Sequence, residues 1–193
     1  MLALRYPLIL ASGSPRRKQL MTDAGFLFTI ETRPTDELFP DTMPADEVAE
    51  YLARQKAEQF LNDGQPSERI VLCADTVVIL DNQILNKPQD EADARRMLQA
   101  LSGQTHRVRT GVAILSPTGL HSFTDETVVQ FATLTNEEIT YYIRECKPFD
   151  KAGSYGAQDF IGLVGIERLE GSFYTVMGLP THRVYQALKA YVR

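Results

Sequence analysis

The first candidate for a chemical role is a short basic segment near the start of the chain. An apolar run at positions 8–10 leads into a small-residue loop with Ser12 and Ser14, and Pro15, Arg16 and Arg17 follow at once. Ser14 can cap a helix that Pro15 begins. The first turn of a helix attracts anions, and arginine binds phosphate oxygens through paired hydrogen bonds. The segment therefore predicts a site for a phosphate ester, against the alternative of a solvated, basic helix start.

A carboxylate inside an apolar strand is the second candidate. Residues 70–80 read IVLCADTVVIL, which is typical of a strand that is buried on both faces. Asp75 and Thr76 interrupt this run. Because an unpaired buried charge is very costly, Asp75 must be paired, bound to a metal ion or used in chemistry. We take Asp75 as the leading catalytic candidate, with a structural ion pair to Lys56 as the alternative.

Lys56 is the third candidate, because it interrupts the apolar side of a predicted helix. In the helix predicted over residues 45–62, Val48, Leu52 and Phe60 share one face, and Lys56 lies midway between the last two. Its ammonium could reach water while its aliphatic stem covers the core. Alternatively, the ammonium enters a polar cleft and contacts a carboxylate or a phosphate. The sequence leaves both interpretations open.

The composition limits the possible classes of function. The chain has 193 residues, 44% of them hydrophobic, which is enough for a full core, and its formal net charge is −5. Nucleic acids and anionic membrane surfaces require a broad basic field, so neither is an expected partner. The histidines at positions 106, 121 and 182 lie far apart, and Cys73 and Cys146 have no metal-ligand spacing. We expect a small anionic ligand.

The sequence gives no sign of export or membrane insertion. Arg5 and Pro7 interrupt the apolar start of the chain, which is too short for the hydrophobic region of a signal peptide. No apolar segment approaches the length that spans a bilayer. Unpaired cysteines fit a reducing compartment. We therefore expect a cytoplasmic protein.

The elements that must position these residues alternate between strands and helices. Further strands are predicted at residues 26–31, 108–114 and 128–134, and a further helix at residues 90–101. Thr135 and Glu138 form a capping box that begins another helix, which Pro148 ends. Residues 147–173 hold five glycines and suggest either backbone shaped around a ligand or a surface loop. A last strand is predicted at residues 174–177, before a helix that Pro180 begins.

Eight segments of this sequence form an ordered set that covers nearly the whole chain: ASGSPRRKQL, Thr35-Asp36-Glu37, Lys56-Ala57, Ala74-Asp75-Thr76, Lys87-Pro88, LSGQTHRVRTGVA, DKAGSYGAQ and VMGLP. The set resembles the Maf family of nucleoside triphosphate pyrophosphatases. The resemblance implies a single domain over residues 1–193 with a mixed α/β fold. In this fold, shared with inosine triphosphate pyrophosphatases, helices surround a long central sheet, and two lobes that share the sheet enclose a cleft.

The resemblance implies a reaction and the cations that support it. The reaction is hydrolysis of a nucleoside triphosphate to the monophosphate and pyrophosphate, by attack of water at the α-phosphorus. The family's phosphate-binding loop falls on Ser12, Arg16 and Arg17, and its two cleft lysines fall on Lys56 and Lys87. These cations would neutralise the charge that develops on the departing pyrophosphate.

The resemblance also implies acidic and base-selecting residues. The family's essential carboxylate falls on Asp75, and its acid after the second strand falls on Glu37. Both offer oxygen ligands suited to Mg²⁺ or Mn²⁺, and Asp75 could instead act as a general base. Threonine after the aspartate and glutamine after the Tyr-Gly pair mark the subfamily that acts on dTTP and UTP, here Thr76 and Gln158.

Two positions depart from the family pattern, and two alternative functions stay open. Ala157 stands where a larger aliphatic residue is usual, and Asn86 stands where glycine is usual. The alternatives are the same hydrolysis of other, modified nucleotides, or a non-catalytic nucleotide-sensing regulator linked to cell division. A P-loop NTPase is excluded, because no G-x-x-x-x-G-K-[ST] segment occurs. A homodimer is the expected assembly.

Overall fold

The structure, a computed structural model, describes residues 3–61 and 68–193. Its strands are β1 Leu8–Leu10, β2 Thr29–Ile30, β3 Ile70–Leu80, β4 Gln83–Leu85, β5 Thr105–Ser116, β6 Gly119–Phe131 and β7 Ile166–Glu170. Its helices are α1 Pro15–Asp23, α2 Ala45–Glu58, α3 Glu91–Leu101, α4 Asn136–Cys146, α5 Phe160–Gly165, α6 Phe173–Met177 and α7 Thr181–Leu188. Among these described helices, none combines the length and the apolar character needed to cross a bilayer.

The strands of the described residues form one mixed sheet. Their order is β2-β1-β3-β5-β6-β7, and β4 pairs with β3. Strand β1 runs parallel to β2 and to β3, with Leu8 opposite Ile70, whereas β4 runs antiparallel to β3 and β7 antiparallel to β6. The predicted mixed α/β fold, with a central sheet and surrounding helices, is confirmed.

Contacts between residues divide the chain into two compact units. The first unit comprises the described residues up to Asp75, together with Thr110–Asp125 and Gly178–Arg193. The second unit comprises Thr76–Arg109 and Glu126–Met177. Three of the four unit boundaries therefore fall inside β3, β5 and β6, and the fourth falls at the end of α6, after Met177. A cleft between two lobes stays a prediction.

Small side chains bring helix α2 close to the sheet in the first unit. Ala53 and Ala57 of α2 are fully buried against the apolar residues of β1 and β3. Gly111 of β5 permits the closest approach, because a Cβ atom at this position would lie 2.2 Å from the carbonyl oxygen of Ala49. The helix that carries Lys56 is thus held directly on the strands.

Helices α3 and α4 pack on the core of the second unit. Leu98, Tyr142 and Ile143 are buried together with Phe131 of β6. The predicted capping box of α4 is confirmed: the Glu138 N–H donates to Thr135 Oγ1 at 3.2 Å, and the Thr135 N–H donates to Glu138 Oε2 at 2.7 Å. The start of α4 is therefore fixed by local bonds, and its inner face by packing.

The strand predicted at residues 174–177 is wrong. Phe173–Met177 forms helix α6, which follows a turn at Gly171, where φ is +129°. The last strand is β7, inside the glycine-rich segment, and it forms because Val129 and Gln130 of β6 pair with it. This pairing is non-local, so the local pattern of residues 166–170 gave no strand signal.

The bounds of further predicted elements need correction, since the strand predicted at residues 128–134 is the end of β6, which runs from Gly119 to Phe131. Of the strand predicted at residues 26–31, Thr29 and Ile30 form β2 beside β1, and the Glu31 N–H donates to the Leu10 carbonyl at 3.3 Å. The strand starts later than predicted because the Phe26 N–H donates to the Met21 carbonyl and closes the end of α1. The apolar side chain of Phe26 is buried against Tyr185 instead of marking a strand. Helix α2 ends at Glu58, and the predicted end at residue 62 lies outside the described residues.

Candidate active site

The basic segment forms the predicted loop and helix start. Ser14 Oγ accepts from the Arg17 N–H at 3.5 Å, and Pro15 occupies the first turn of α1. The Ser14 N–H donates to Ser12 Oγ at 3.2 Å, and Ser12 is buried. The serine hydroxyls of the loop therefore accept hydrogen bonds from its backbone and from the first turn of α1. These bonds fix where the helix begins and thus where its basic residues lie.

The Arg17 guanidinium is anchored on two sides. Its Nη1 donates to Ser12 Oγ at 3.2 Å, and its Nε donates to the Gly178 carbonyl at 2.8 Å. Burial lowers the pKa of Arg17 below its ordinary value, and the nearby Asp75 carboxylate opposes that shift. Since an arginine keeps its proton in proteins, the side chain is an anchored cation that interacts electrostatically with Asp75.

Lys56 bridges two carboxylates. Its Nζ donates to Asp75 Oδ1 at 2.5 Å and to Glu37 Oε1 at 2.8 Å. The Asp75 side chain is 11% exposed and that of Lys56 17%, whereas that of Glu37 is 45% exposed. The ammonium therefore contacts both carboxylates, and the buried charge of Asp75 is paired.

Glu37 and Asp75 are the two carboxylates that could hold a cation. Both accept a hydrogen bond from the same ammonium, so their oxygens lie close together. The described residues contain no group of three or more His, Cys, Asp or Glu side chains placed to hold a metal ion. A pair of carboxylates still suits Mg²⁺, which is commonly bound by one or two carboxylates, substrate phosphates and water.

The remaining predicted site residues lie in both units. Arg16 is half-buried beside Arg17 in the first unit. In the second unit, Thr76 is half-buried on β3, and Lys87 is exposed at the edge of an open depression of about 610 Å³. The first unit thus brings together six of the predicted residues: Ser12, Arg16, Arg17, Glu37, Lys56 and Asp75.

Gln158 lies in a turn between residues 155 and 160 of the second unit. Its side chain is half-buried, and its Oε1 is shielded from water with no hydrogen-bond partner among the described residues. A shielded acceptor without a donor costs free energy, roughly 1–3 kcal/mol, unless a ligand supplies the donor. Gln158 Oε1 is therefore an unsatisfied acceptor in the turn, and a ligand donor can reach it only if the side chain turns outward.

Aromatic residues that no sequence pattern marked as part of a site surround this turn. His106 Nε2 and the Tyr155 hydroxyl lie 2.7 Å apart, both side chains are buried, and both rings contact Phe131 edge-on. Tyr142 bonds two residues of the same turn. The only signal for them was the position of His106 and Tyr155 inside the motifs LSGQTHRVRTGVA and DKAGSYGAQ.

His106 gives the protein a pH-dependent stability. Burial lowers the pKa of His106 from 6.5 to about 4, so the unfolded chain binds the proton more readily between these values. The part of the unfolding free energy that depends on a neutral His106 is therefore fully present above pH 6.5 and is lost as the pH falls toward 4. It amounts to roughly 3 kcal/mol. We expect His106→Asn to lose less unfolding free energy than wild type between pH 7 and 4.5, measured in urea. His121→Asn, at an exposed position, is the control, and equal losses in all three proteins would contradict the prediction.

A model of the Maf-like protein family matches residues 7–191, so the chain belongs to the Maf family. The dTTP/UTP pyrophosphatase of Phocaeicola vulgatus is 47% identical over 186 residues, which are 96% of each chain. That of Porphyromonas gingivalis is 46% identical over 187 residues, 96% of this chain and 94% of the relative. Among solved structures, a dITP/XTP pyrophosphatase from Mycobacterium abscessus aligns over 95% of each chain with 15% identity and a TM-score of 0.48. The assignment of the chain to the Maf family therefore rests on the family model and on the sequence relatives.

Proposed function

We propose that this protein hydrolyses dTTP and UTP to the nucleoside monophosphate and pyrophosphate. The observation that carries the proposal is the buried Asp75 carboxylate, which Lys56 holds and which interacts electrostatically with the anchored Arg17 cation. Simple phosphate binding requires cations, whereas it does not require a carboxylate in a buried strand. The names of the relatives agree with this chemistry.

In the proposed reaction, a water oxygen bonds to the α-phosphorus and the bond from that phosphorus to the α–β bridging oxygen breaks. Pyrophosphate leaves with the electron pair of the broken bond, and Asp75 accepts the proton of the water. Ser12, Arg16 and Arg17 bind phosphate oxygens from the loop before α1. Lys56 and Lys87 offset the charge that grows on the leaving group.

Glu37 and Asp75 are the residues that we propose to hold a divalent cation, Mg²⁺ or Mn²⁺. Their carboxylate oxygens are hard ligands. One oxygen of each accepts a hydrogen bond from the Lys56 ammonium, so the two carboxylates are close enough to bind one cation together. When bound, such a cation supplies charge neutralisation for the phosphates and a more acidic water. Lys56 keeps the two carboxylates together, so it positions the ligands as well as the charge.

Gln158 is the residue that we propose to select the base. Once the side chain turns outward, its amide can accept from the ring N3–H of uracil or thymine through Oε1 and donate to the O4 atom through Nε2. Cytosine presents the opposite pattern at both atoms, which would leave polar groups unpaired. Thr76 adds a hydroxyl from β3.

The proposal is tested by pyrophosphate release from a panel of nucleoside triphosphates, common and modified, with Mg²⁺ or Mn²⁺ and after chelation. We expect preferential cleavage of dTTP and UTP. Gln158→Ala should lower the selectivity for UTP over CTP roughly tenfold, while the rate of UTP cleavage falls by a smaller factor. Gln186→Ala, at an exposed position of α7, is the matched control. A different order of substrates would indicate modified nucleotides, and binding without cleavage would indicate a sensing regulator.

The expected assembly and location are proposals too. A homodimer in the cytoplasm remains our expectation for this family member. Light scattering coupled to size-exclusion chromatography measures the mass of the assembly directly, and a monomeric mass would contradict the dimer.

A further inference from the structure

One buried hydroxyl binds both ends of the turn that carries Gln158. The Gly156 N–H donates to the Tyr142 hydroxyl oxygen at 3.0 Å, and that hydroxyl donates to Asp159 Oδ2 at 3.0 Å. The turn is closed by its own bond as well, from the Asp159 N–H to the Gly156 carbonyl at 3.0 Å. Gln158 therefore lies between two residues that share one hydroxyl.

Tyr142 is suited to fix this turn because it is held in the core. The residue is fully buried on α4, whose start is held by the capping box and whose inner face, with Ile139 and Ile143, packs in the core of the second unit. Burial raises the pKa of Tyr142 far above its ordinary range, and the Asp159 carboxylate adds to this shift. The hydroxyl consequently keeps its proton and can donate to Asp159.

The turn also has little space in which to move. A Cβ atom on Gly156 would lie 2.6 Å from Asp159 Oδ2 and 2.8 Å from Gln158 Nε2, so the Gln158 amide lies directly against the Gly156 backbone. On α5, a Cβ atom on Gly162 would lie 2.0 Å from the Ala157 carbonyl oxygen. These close contacts limit the space of the turn, so the placement of its backbone decides where the Gln158 amide lies.

Two other contacts hold the neighbouring residues but do not replace the hydroxyl. His106 fixes Tyr155, which precedes the turn. Lys151 Nζ lies 3.6 Å from Asp159 Oδ2, which is longer than a hydrogen bond. Without the Tyr142 hydroxyl, the Gly156 N–H would lose its partner in a buried position, and the turn would rearrange to satisfy it.

We propose that the Tyr142 hydroxyl is a positioning group that fixes the Gln158 amide and thereby sets the discrimination between uracil and cytosine. This inference rests on the proposed function. Tyr142 acts through Gln158 and touches no substrate. Its removal should therefore change the ratio of kcat/KM values for UTP and CTP more than it changes kcat for UTP.

The test compares Tyr142→Phe, which removes only the hydroxyl, with Tyr141→Phe, which removes an exposed hydroxyl from the same helix. We expect Tyr142→Phe to lower the UTP-to-CTP ratio of kcat/KM about tenfold, and Tyr141→Phe to leave it unchanged. In the Gln158→Ala background, Tyr142→Phe should lower the ratio no further, because the group through which it acts is absent. A purely structural role would instead slow all substrates alike in both backgrounds.

Variants of Asp159 keep the test decisive if Tyr142→Phe does not fold. Asp159→Asn retains an acceptor for the hydroxyl and should keep more of the UTP-to-CTP ratio than Asp159→Ala. The inference applies to an enzyme that prefers UTP and loses this preference in Gln158→Ala. In such an enzyme, an unchanged UTP-to-CTP ratio of kcat/KM in Tyr142→Phe would overturn the inference. If Tyr142→Phe does not fold, an unchanged ratio in Asp159→Ala would overturn it. A wild-type enzyme without that preference would overturn the proposed function first, so the two failures are distinguishable.

Discussion

Turnover of dTTP and UTP is expected to fall about 10²–10⁴-fold when Asp75 is replaced by Asn, while the fold is retained. The amide has the volume of the carboxylate, so the packing of β3 around this 8% exposed residue is preserved. It cannot take the proton of the attacking water, and it is a weaker ligand for a divalent cation. The measurement is single-turnover pyrophosphate release with saturating UTP and metal ion.

The control for this variant is Asp81→Asn, after the end of the same strand. Asp81 is exposed and has a positive φ of +49°, a conformation that asparagine adopts readily. We expect this variant to keep wild-type turnover. If Asp75→Asn also kept nearly wild-type turnover with saturating metal, Asp75 would be a structural partner of Lys56 and neither base nor ligand.

Replacement of Lys56 by Met is expected to lower the free energy of unfolding by about 3 kcal/mol and to abolish most of the turnover. Methionine fits the aliphatic path of the lysine stem, but it leaves the Asp75 carboxylate buried without its ammonium and releases Glu37. The loss of stability thus arises mainly from an uncompensated charge. Urea unfolding at pH 7 measures it, with the exposed Lys18→Met as control.

A double-mutant cycle identifies the cause of this loss. In Lys56→Met/Asp75→Asn, the unpaired charge is gone, so the double variant should be more stable than Lys56→Met alone. Turnover should be no higher than that of Asp75→Asn, because Lys56 also offsets charge on the leaving group. Strict additivity of the two losses of unfolding free energy would argue that Lys56 stabilises the fold through other contacts.

The sequence was most informative where local chemistry decides the structure. The apolar run at residues 70–80 has the bounds of β3, because a strand buried on both faces must be apolar along its length. The capping box at Thr135 is also local, since its two bonds join residues three positions apart. The anomalies at Lys56 and Asp75 were visible because a charge interrupts an apolar pattern.

The glycine-rich segment could not be predicted in the same way. Strand β7 exists through its pairing with β6, about forty positions earlier in the chain, and its residues are mostly exposed. Helix α5 contains two glycines, which local propensity disfavours in a helix. Contacts between distant segments outweigh local preference at both places.

By itself, the sequence determined the mixed α/β class, the membership of the Maf family and the identity of the charged residues that must be compensated. Tertiary structure alone decided their partners: Lys56 meets Glu37 and Asp75, each 19 positions away, where the sequence left water, phosphate and carboxylate open. It likewise decided that Tyr142 binds the turn of Gln158. The physical reason is that the cost of burying a charge or a hydroxyl can be read from residue type, whereas its partner depends on which distant segments the fold brings within hydrogen-bond distance.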